Sequence, residues 1–366
     1  MLKYLGSKRT LVPLIAELAA ELPLRSACDL FAGTTRVGQA LRRSGLEVHS
    51  NDLATYSREL GHAYIEAEPR EREEARELLE RLSSLPGRRG YFTRTFCEDS
   101  RYFQPHNGER IDAIRDAIEV AGLSPAVRGL ALTSLMEAAD RVDSTTGVQM
   151  AYLKRWAPRA SKALELRLPE AVEGPRGTVS RRDANELAAS LEVDLVYIDP
   201  PYNQHSYFAN YHIWETLTRW DAPDAYGVAR KREDCRARKS AYNSKVQAGP
   251  ALDGLLDRLS APWLLVSFNN EGFHEPGHVR SMLAEHGYVG SLEVDFKRYI
   301  GAQIGIHNPR GEKVGAVSHL RNKELLFLVG PDRALVEGAI ERVSARAEAT
   351  RRAAASAHTP DAVPQA

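Results

Sequence analysis

"VDLVYIDPPYNQHSYFANYHIWETL", residues 193–217, decides the fold. It opens as a continuous apolar run, the pattern of a strand buried on both faces. The run ends on Asp199-Pro200-Pro201-Tyr202 where an ordinary loop would carry glycine or serine. Proline fixes φ, offers no N–H and keeps the residue before it extended. The strand end therefore presents a carboxylate and a carbonyl, stiffly held and free of donors. The following segment is crowded with aromatics and amides: Asn203, Gln204, His205, Tyr207, Phe208, Asn210, Tyr211, His212 and Trp214.

Similar short apolar runs bounded by turn residues lie at 26–33, 46–52, 262–272, 291–301 and 323–330. Helix-length segments at 34–44, 205–220, 250–259 and 276–286 separate several of them. That alternation predicts an α/β fold with a doubly wound, mainly parallel sheet. No helix fits between the last two strands, so a closing antiparallel pair is expected. From Asp52 to about Gly177 there is no good strand, while "ERIDAIRDAIEVAG" and "SPAVRGLALTSLMEAAD" are amphipathic at helical spacing. The expected organisation is a sheet domain from residues 1–52 and 178–345, a helical insertion at 53–177 and a disordered tail at 346–366.

Composition narrows the class. The 366 residues are 43% hydrophobic, enough for a sizeable core. No run approaches the ~20 apolar residues of a membrane span, and the N-terminus lacks the apolar block of a signal peptide. Three scattered cysteines, Cys28, Cys97 and Cys235, fit a reducing cytoplasm and argue against a disulfide framework or a metal site. Lys+Arg and Asp+Glu both number 49, so any polyanion must be met by a local patch. Residues 66–81 mix both signs at helical spacing and read as a solvated helix face. By contrast, "RKREDCRARKSAYNSK" at 230–245 sets seven basic residues against two acidic ones, as a segment contacting phosphates would.

Ligands of open α/β sheets bind at the carboxyl ends of the strands. Three strand ends are polar here. In "DLFAGTTRVG" (29–38), Gly33 lets backbone approach a ligand and Thr34 or Thr35 is placed to cap the next helix; a tight turn with no ligand is the alternative. Asp52 ends the following strand, where a carboxylate grips ribose hydroxyls. Gly33 and Gly38 lack the Gly-x-Gly-x-x-Gly spacing, which disfavours a nicotinamide dinucleotide. At the third end, acceptors from Asp199 and the Pro200 carbonyl suit an aromatic amine. Its lone pair is delocalised into the ring, and two acceptors on its two hydrogens restore it and stabilise the charge that develops on alkylation by a methyl sulfonium. Tyr202 is expected to stack on the base and hold the amine in line.

The motifs "DPPY" (199–202), "DLFAGTTRVG" and "KYLGSKR" (3–9) together resemble the DNA adenine-N6 methyltransferases of the DNA adenine methylase type, over most of residues 1–330. The resemblance implies a Rossmann-like class I methyltransferase that uses S-adenosylmethionine to methylate N6 of adenine at specific sites in double-stranded DNA. Within it, Tyr4, Gly6 and Lys8 would close over the methionine end of the cofactor, and Asp29, Phe31, Gly33 and Thr34 would line it. Asp52 would hold its ribose, Asp183 would lie near its adenine, and Asp199, Pro200, Pro201 and Tyr202 would be the catalytic motif. The helical insertion corresponds to the target-recognition region, and its "EAADRVDSTTGVQMAYLKRW" resembles a stretch in one subset of these enzymes. One departure is Thr35, a side chain where the family usually has glycine.

An adenine in a duplex reaches such a pocket only by being flipped out, at a cost of roughly a few kcal/mol. Arg230, Lys231, Arg232, Arg236, Arg238, Lys239, Lys245, Lys297 and Arg298 are the expected phosphate contacts. Tyr211, Trp214 and Leu217 fall at helical spacing and read as core, while His205 and His212 receive no role. Asn269 lines the base pocket or belongs to a plain turn. Competing readings are a cytosine-N4 methyltransferase, an amide methyltransferase and a non-catalytic specificity subunit. Serine or asparagine at position 199, or a degraded motif, would favour these, and aspartate in an intact motif does not. Protection of DNA from a cognate restriction endonuclease and action alone both fit this sequence.

Overall fold

The computed structural model describes residues 2–5, 8–269, 272–297 and 321–356. Four short strands, β1 (Ser26–Asp29), β2 (Glu47–Asn51), β3 (Thr178–Ser180) and β4 (Leu195–Ile198), run parallel to one another and to β7 (Trp263–Asn269). Two longer strands, β8 (Tyr288–Lys297) and β9 (Arg321–Gly330), close the sheet antiparallel. The order is β3-β2-β1-β4-β7-β9-β8, so the chain reverses direction between β1 and β4, where crevices form in sheets of this kind. The expected α/β architecture with its closing antiparallel pair is observed. Every residue of β4 and of β7 is buried, which is why both read as unbroken apolar runs rather than alternating ones.

One face of the sheet is covered by α1 (Val12–Ala20), α2 (Arg36–Arg43) and a C-terminal helix, Arg333–Ser356, through Ile15, Leu41, Val336 and Val343. On the other face lie α8 (Ala184–Ala188), α11 (Ala248–Leu256) and α12 (Pro276–Ala284), with Leu187, Leu255 and Leu283 in a shared core. The C-terminal helix corrects the expectation of disorder from 346: residues 346–356 continue it, and Arg346 binds Glu17 and Glu21 of α1. Alanine, arginine and glutamate make that stretch poor in apolar signal but rich in helix propensity.

Between β2 and β3 the chain forms α3 (Thr55–Gly61), α4 (Pro69–Ser83), α5 (Tyr91–Thr93), α6 (Pro105–Val120) and α7 (Pro125–Val142). Local chemistry sets these ends. Glu68 and Glu71 make a reciprocal capping box at α4, and the Ser124 hydroxyl accepts from Val127 N–H ahead of Pro125 at α7. Gly129 lets α7 touch α3, because a Cβ there would stand 2.5 Å from that of His62. The helices share one core with Tyr211, Ile213, Trp214 and Leu217, which belong to α10 (His212–Arg219) and its N-cap. A short helix, α9 (Tyr207–Asn210), precedes α10, and a two-stranded ribbon, β5 (Ala225–Tyr226) with β6 (Lys231–Arg232), follows it. The chain leaving Asp199 is therefore tied directly into the helical layer.

Candidate active site

The carboxyl ends of β1, β2 and β4 open on a cavity of about 660 Å³, the size of a small-molecule site. Among the sequence-predicted residues, Tyr4, Lys8, Asp29, Phe31, Gly33, Thr34, Asp52, Asp183, Asp199, Pro200 and Pro201 all line it. Gly6 lies outside the described residues. Gly33 adopts φ +52°, a conformation that favours glycine, and a Cβ there would come within 3.3 Å of the Tyr4 ring and press on it. Its N–H donates to Asp52 Oδ2 at 2.8 Å, while Ala54 N–H donates to Oδ1 at 2.8 Å, which fixes the Asp52 carboxylate at the cavity wall. Asp183 caps α8, accepting from Asn185 N–H at 2.9 Å. Thr35 takes φ +60°, the left-handed conformation that favours glycine. Its fully buried hydroxyl donates to the Thr34 carbonyl at 2.7 Å and accepts from Gln39 Nε2 at 3.0 Å, so the side chain turns into the fold and away from the cavity.

The acids here are poorly neutralised. Burial pushes Asp29 up to about 7, helped by Asp199 and Asp52 and opposed by the Gly38 N–H that donates to Oδ2 at 2.9 Å. Burial likewise raises Asp52. Asp199 is pushed up to about 6, first by burial, against the pull of Lys8 and with the repulsion of Glu324. Lys8 Nζ lies 3.1 Å from Asp199 Oδ1 and 3.3 Å from Glu324 Oε2. Burial alone would lower the lysine, yet Asp199, Tyr202 and Glu324 hold it well above its ordinary value. Such a set of carboxylates suits a ligand carrying hydroxyls, an ammonium and a sulfonium, and Phe31, edge-on to Tyr242 at 5.3 Å, gives it an aromatic wall. The residues present fit S-adenosylmethionine.

The opening motif acts as a strap. Lys3 binds Asp140 and Asp143 at the end of α7, Tyr4 stacks on Tyr211 at 4.4 Å and Tyr207 at 5.5 Å, and Leu5 N–H donates to the Tyr211 hydroxyl. It thus joins the helical layer to the cavity before Lys8 reaches the Asp199 carboxylate. The family resemblance places Lys8 over the cofactor; it lines the cavity, and its ion pairs are with Asp199 and Glu324. Glu324 was missed, although a glutamate inside the apolar run "KELLFLVG" was the signal available.

Tyr202, expected to stack on the base, does not line the cavity: it packs on Phe268 at 5.7 Å with the Lys8 ammonium 5.6 Å from its ring centre, while Tyr207 and Phe208 line the cavity. Tyr211, Trp214 and Leu217 are core, as their spacing predicts. His212 is fully buried, its Nε2 lies 3.0 Å from the Gln149 carbonyl, and burial depresses it to about 3, so it is a neutral core residue. His205 is exposed. Asn269 does not line the cavity: it ends β7 buried, its carbonyl accepting from Gly272 N–H at 3.1 Å where the chain turns, and its Nδ2 donating to Glu324 Oε1 at 3.2 Å.

The basic segment splits. Arg238 and Lys239 reach the cavity mouth, Arg238 lying 4.8 Å over the Phe208 ring. Lys245 is exposed, Lys231 is half-buried in β6, and Arg236 is exposed beside Glu233 and over Tyr226. Arg230 pairs with Asp99 at 2.9 Å. Arg232 is a correction: at 2% exposure it forks onto both oxygens of Asp221 at 2.7 Å and also binds Asp234, so it holds the ribbon together and is closed to phosphate. Lys297 ends β8, and Arg298 lies outside the described residues.

Comparison with known proteins agrees with this geometry. The sequence model of the D12 class N6 adenine-specific DNA methyltransferases matches residues 4–282. The chain is 32% identical over 305 residues to the type II methyltransferase M.NlaIII of Neisseria lactamica, covering 81% of this chain and 90% of that protein. It is 29% identical to the modification methylase StsI of Streptococcus sanguinis and 31% to the type II methyltransferase M.FokI of Planomicrobium okeanokoites. Those alignments cover 81% and 78% of this chain, which spans about half the length of each of those two relatives, 49% and 47%. With the family's motifs gathered at one cavity, the chain belongs to the D12 class of N6 adenine-specific DNA methyltransferases and transfers a methyl group from S-adenosylmethionine to adenine in DNA.

Proposed function

We propose that the Asp199 carboxylate and the Pro200 carbonyl accept the two hydrogens of the target adenine's amine, with the cofactor held by Tyr4, Asp29, Phe31, Gly33, Thr34, Asp52 and Asp183. When bound, S-adenosylmethionine supplies the methyl carbon that the amine attacks. Asp199 and Pro200 draw electron density onto the nitrogen, and their rigid, donor-free turn needs no rearrangement as charge develops there. The proton then lost from the methylated nitrogen passes to Asp199 or to water. Tyr202 packs on Phe268 at 5.7 Å, and Tyr207 and Phe208 offer the aromatic faces on which a flipped base stacks. The observation that carries the reading is the convergence of Asp199, Asp29, Asp52 and Gly33 on a single cavity.

We further propose that residues 53–177 read the target sequence, that Arg238, Lys239 and Lys245 contact its phosphates, and that the enzyme modifies DNA alongside a cognate restriction endonuclease. Support for the last point is the similarity to type II modification methylases. The reading is tested by transfer of labelled methyl to unmethylated duplex DNA followed by nucleoside analysis, with Asp199→Ala as control. N6-methyladenine that disappears in the variant is expected; label found only in cytosine, or an Asp199→Ala enzyme that stays active, overturns it.

A further inference from the structure

The catalytic carboxylate does not face its lysine alone. Lys8 Nζ sits between Asp199 Oδ1 at 3.1 Å and Glu324 Oε2 at 3.3 Å, and the other Glu324 oxygen accepts from Asn269 Nδ2 at 3.2 Å. The side chains of Lys8, Glu324 and Asp199 are 7%, 8% and 18% exposed, so solvent screens this group only weakly. Glu324 and Asn269 are directly opposed in the β7/β9 ladder, a register that fixes the glutamate rigidly. Glu324 also lies beyond residues 4–282, the part of the chain that carries the family match.

A buried glutamate in an apolar strand costs free energy unless a cation offsets it, and the cation here is one that already has a partner. With two carboxylates and one ammonium, the trio carries a net charge of −1. Were Lys8 paired with Asp199 alone, the ammonium would neutralise the acceptor that the adenine amine needs and would repel the positive charge developing on that amine. Glu324 removes both problems, since it shares the ammonium and gives it a place to move when an amine N–H takes over its position at Asp199. We propose that Glu324 is a positioning residue for methyl transfer, which acts through Lys8 to keep Asp199 available as an acceptor.

This rests on the reading of Asp199 as the acceptor. The other titratable groups around Asp199 are Asp29 on β1, Tyr197 on β4, Tyr202 in the catalytic turn and Tyr207 on α9, and Glu324→Gln leaves all of them in place. Neutralising Glu324 removes a like charge and leaves Lys8 wholly to Asp199, so both effects lower the acidity range over which Asp199 ionises.

The test compares wild type, Glu324→Gln, Glu324→Asp, Lys8→Gln and the Lys8→Gln/Glu324→Gln double variant of the full chain. Single-turnover methyl transfer to unmethylated plasmid DNA is measured across pH, with cofactor affinity by calorimetry. In Glu324→Gln the rate at saturating cofactor falls about 10- to 100-fold, the range for a group acting through another. Cofactor Kd stays within about threefold, the acid limb of the rate profile moves to lower pH, and Glu324→Asp recovers part of the rate. The double variant is no slower than Lys8→Gln, because without Lys8 the glutamate has nothing to hold. An unchanged rate in Glu324→Gln, a loss with an unmoved acid limb, or additive losses in the double variant overturns the proposal. If Glu324→Gln does not fold, the Lys8→Gln and Glu324→Asp profiles still decide: a Glu324→Asp enzyme with the rate and the acid limb of Lys8→Gln counts against it. An active Asp199→Ala enzyme would instead overturn the underlying assignment of Asp199.

Discussion

At the carboxyl edge of the sheet, burial pushes Asp29 up to about 7 and Asp199 up to about 6, with one shared lysine between Asp199 and a second acid. In the ribbon that follows α10 the opposite holds: although burial works against it, Arg232 and Arg219 keep Asp221 and Asp234 below the ordinary carboxylate range. Both regions are dense in charge. The fold neutralises the charges that hold the ribbon together and leaves exposed to one another the charges that line the cavity. The contrast makes strong, separable predictions, because a change at the first region should cost activity and a change at the second should cost stability.

The largest effect is expected at Asp199. Replacing it with alanine should slow methyl transfer by roughly 10³-fold, the scale of removing a preorganised group at a site of developing charge. Rapid-quench single turnovers measure this, and urea unfolding should meanwhile change little, since Lys8 retains Glu324 as partner. Next in size is Arg232→Ala. Asp221 and Asp234 are 31% and 30% exposed, so leaving them unpaired should cost less than a fully buried pair. A loss of about 2–3 kcal/mol in unfolding free energy is expected. A stable Arg232→Ala protein with weakened DNA binding would return that residue to the phosphate contacts and erase the contrast.

The sequence made the first region legible and the second misleading, for different physical reasons. Apolar runs that end in Asp29, Asp52 and Asp199 report burial and a strand end at once, and the strand order of an α/β sheet brings such ends together. Charge density in 230–245 reports neither. The partners that claim Arg230 and Arg232 are Asp99, Asp221 and Asp234, two of them outside the segment, and only the folded chain brings them near. Edge strand β3 escaped for a simpler reason, being three residues with no apolar block. Lys8 lies at the expected cavity, but its pairing with Asp199 and Glu324 is not legible, because motif spacing locates a residue along the chain and says nothing of where four methylenes carry its charge.

The acids should also make the first region sensitive to pH. Asp29 and Asp199, with Asp140 at the end of α7, are raised to about 7, 6 and 7, so between roughly pH 4 and 7 these three groups bind more protons in the folded protein than in the unfolded chain, while buried His212, depressed to about 3, works the other way. Their contribution to stability is therefore greatest at low pH and is lost as pH rises through 6 to 7. Asp29→Asn should flatten part of that dependence in thermal unfolding. A cationic cofactor favours the ionised Asp29, so its binding should release a proton. Cofactor affinity should climb toward tenfold per unit below pH 7 and level off above it. Calorimetry in two buffers of different ionisation enthalpy detects the proton directly, and pH-independent binding would show that Asp29 is already ionised in the free enzyme.

The smallest effect separates the two halves of the basic segment. Lys239 is exposed at the cavity mouth, close to Arg238, and no ion pair of its side chain is found among the described residues. If it meets a phosphate, Lys239→Ala should leave unfolding unchanged and reduce the slope of log affinity against log salt by about 0.9, one phosphate contact. Arg232→Ala, assayed under conditions where it is folded, should leave that slope where it was, since its guanidinium is already saturated by Asp221 and Asp234. The two slopes test the comparison at its finest grain: similar arginine and lysine side chains, seven positions apart in the sequence, would differ in DNA binding only because one has its counter-ions supplied by the fold and the other must find them on the DNA.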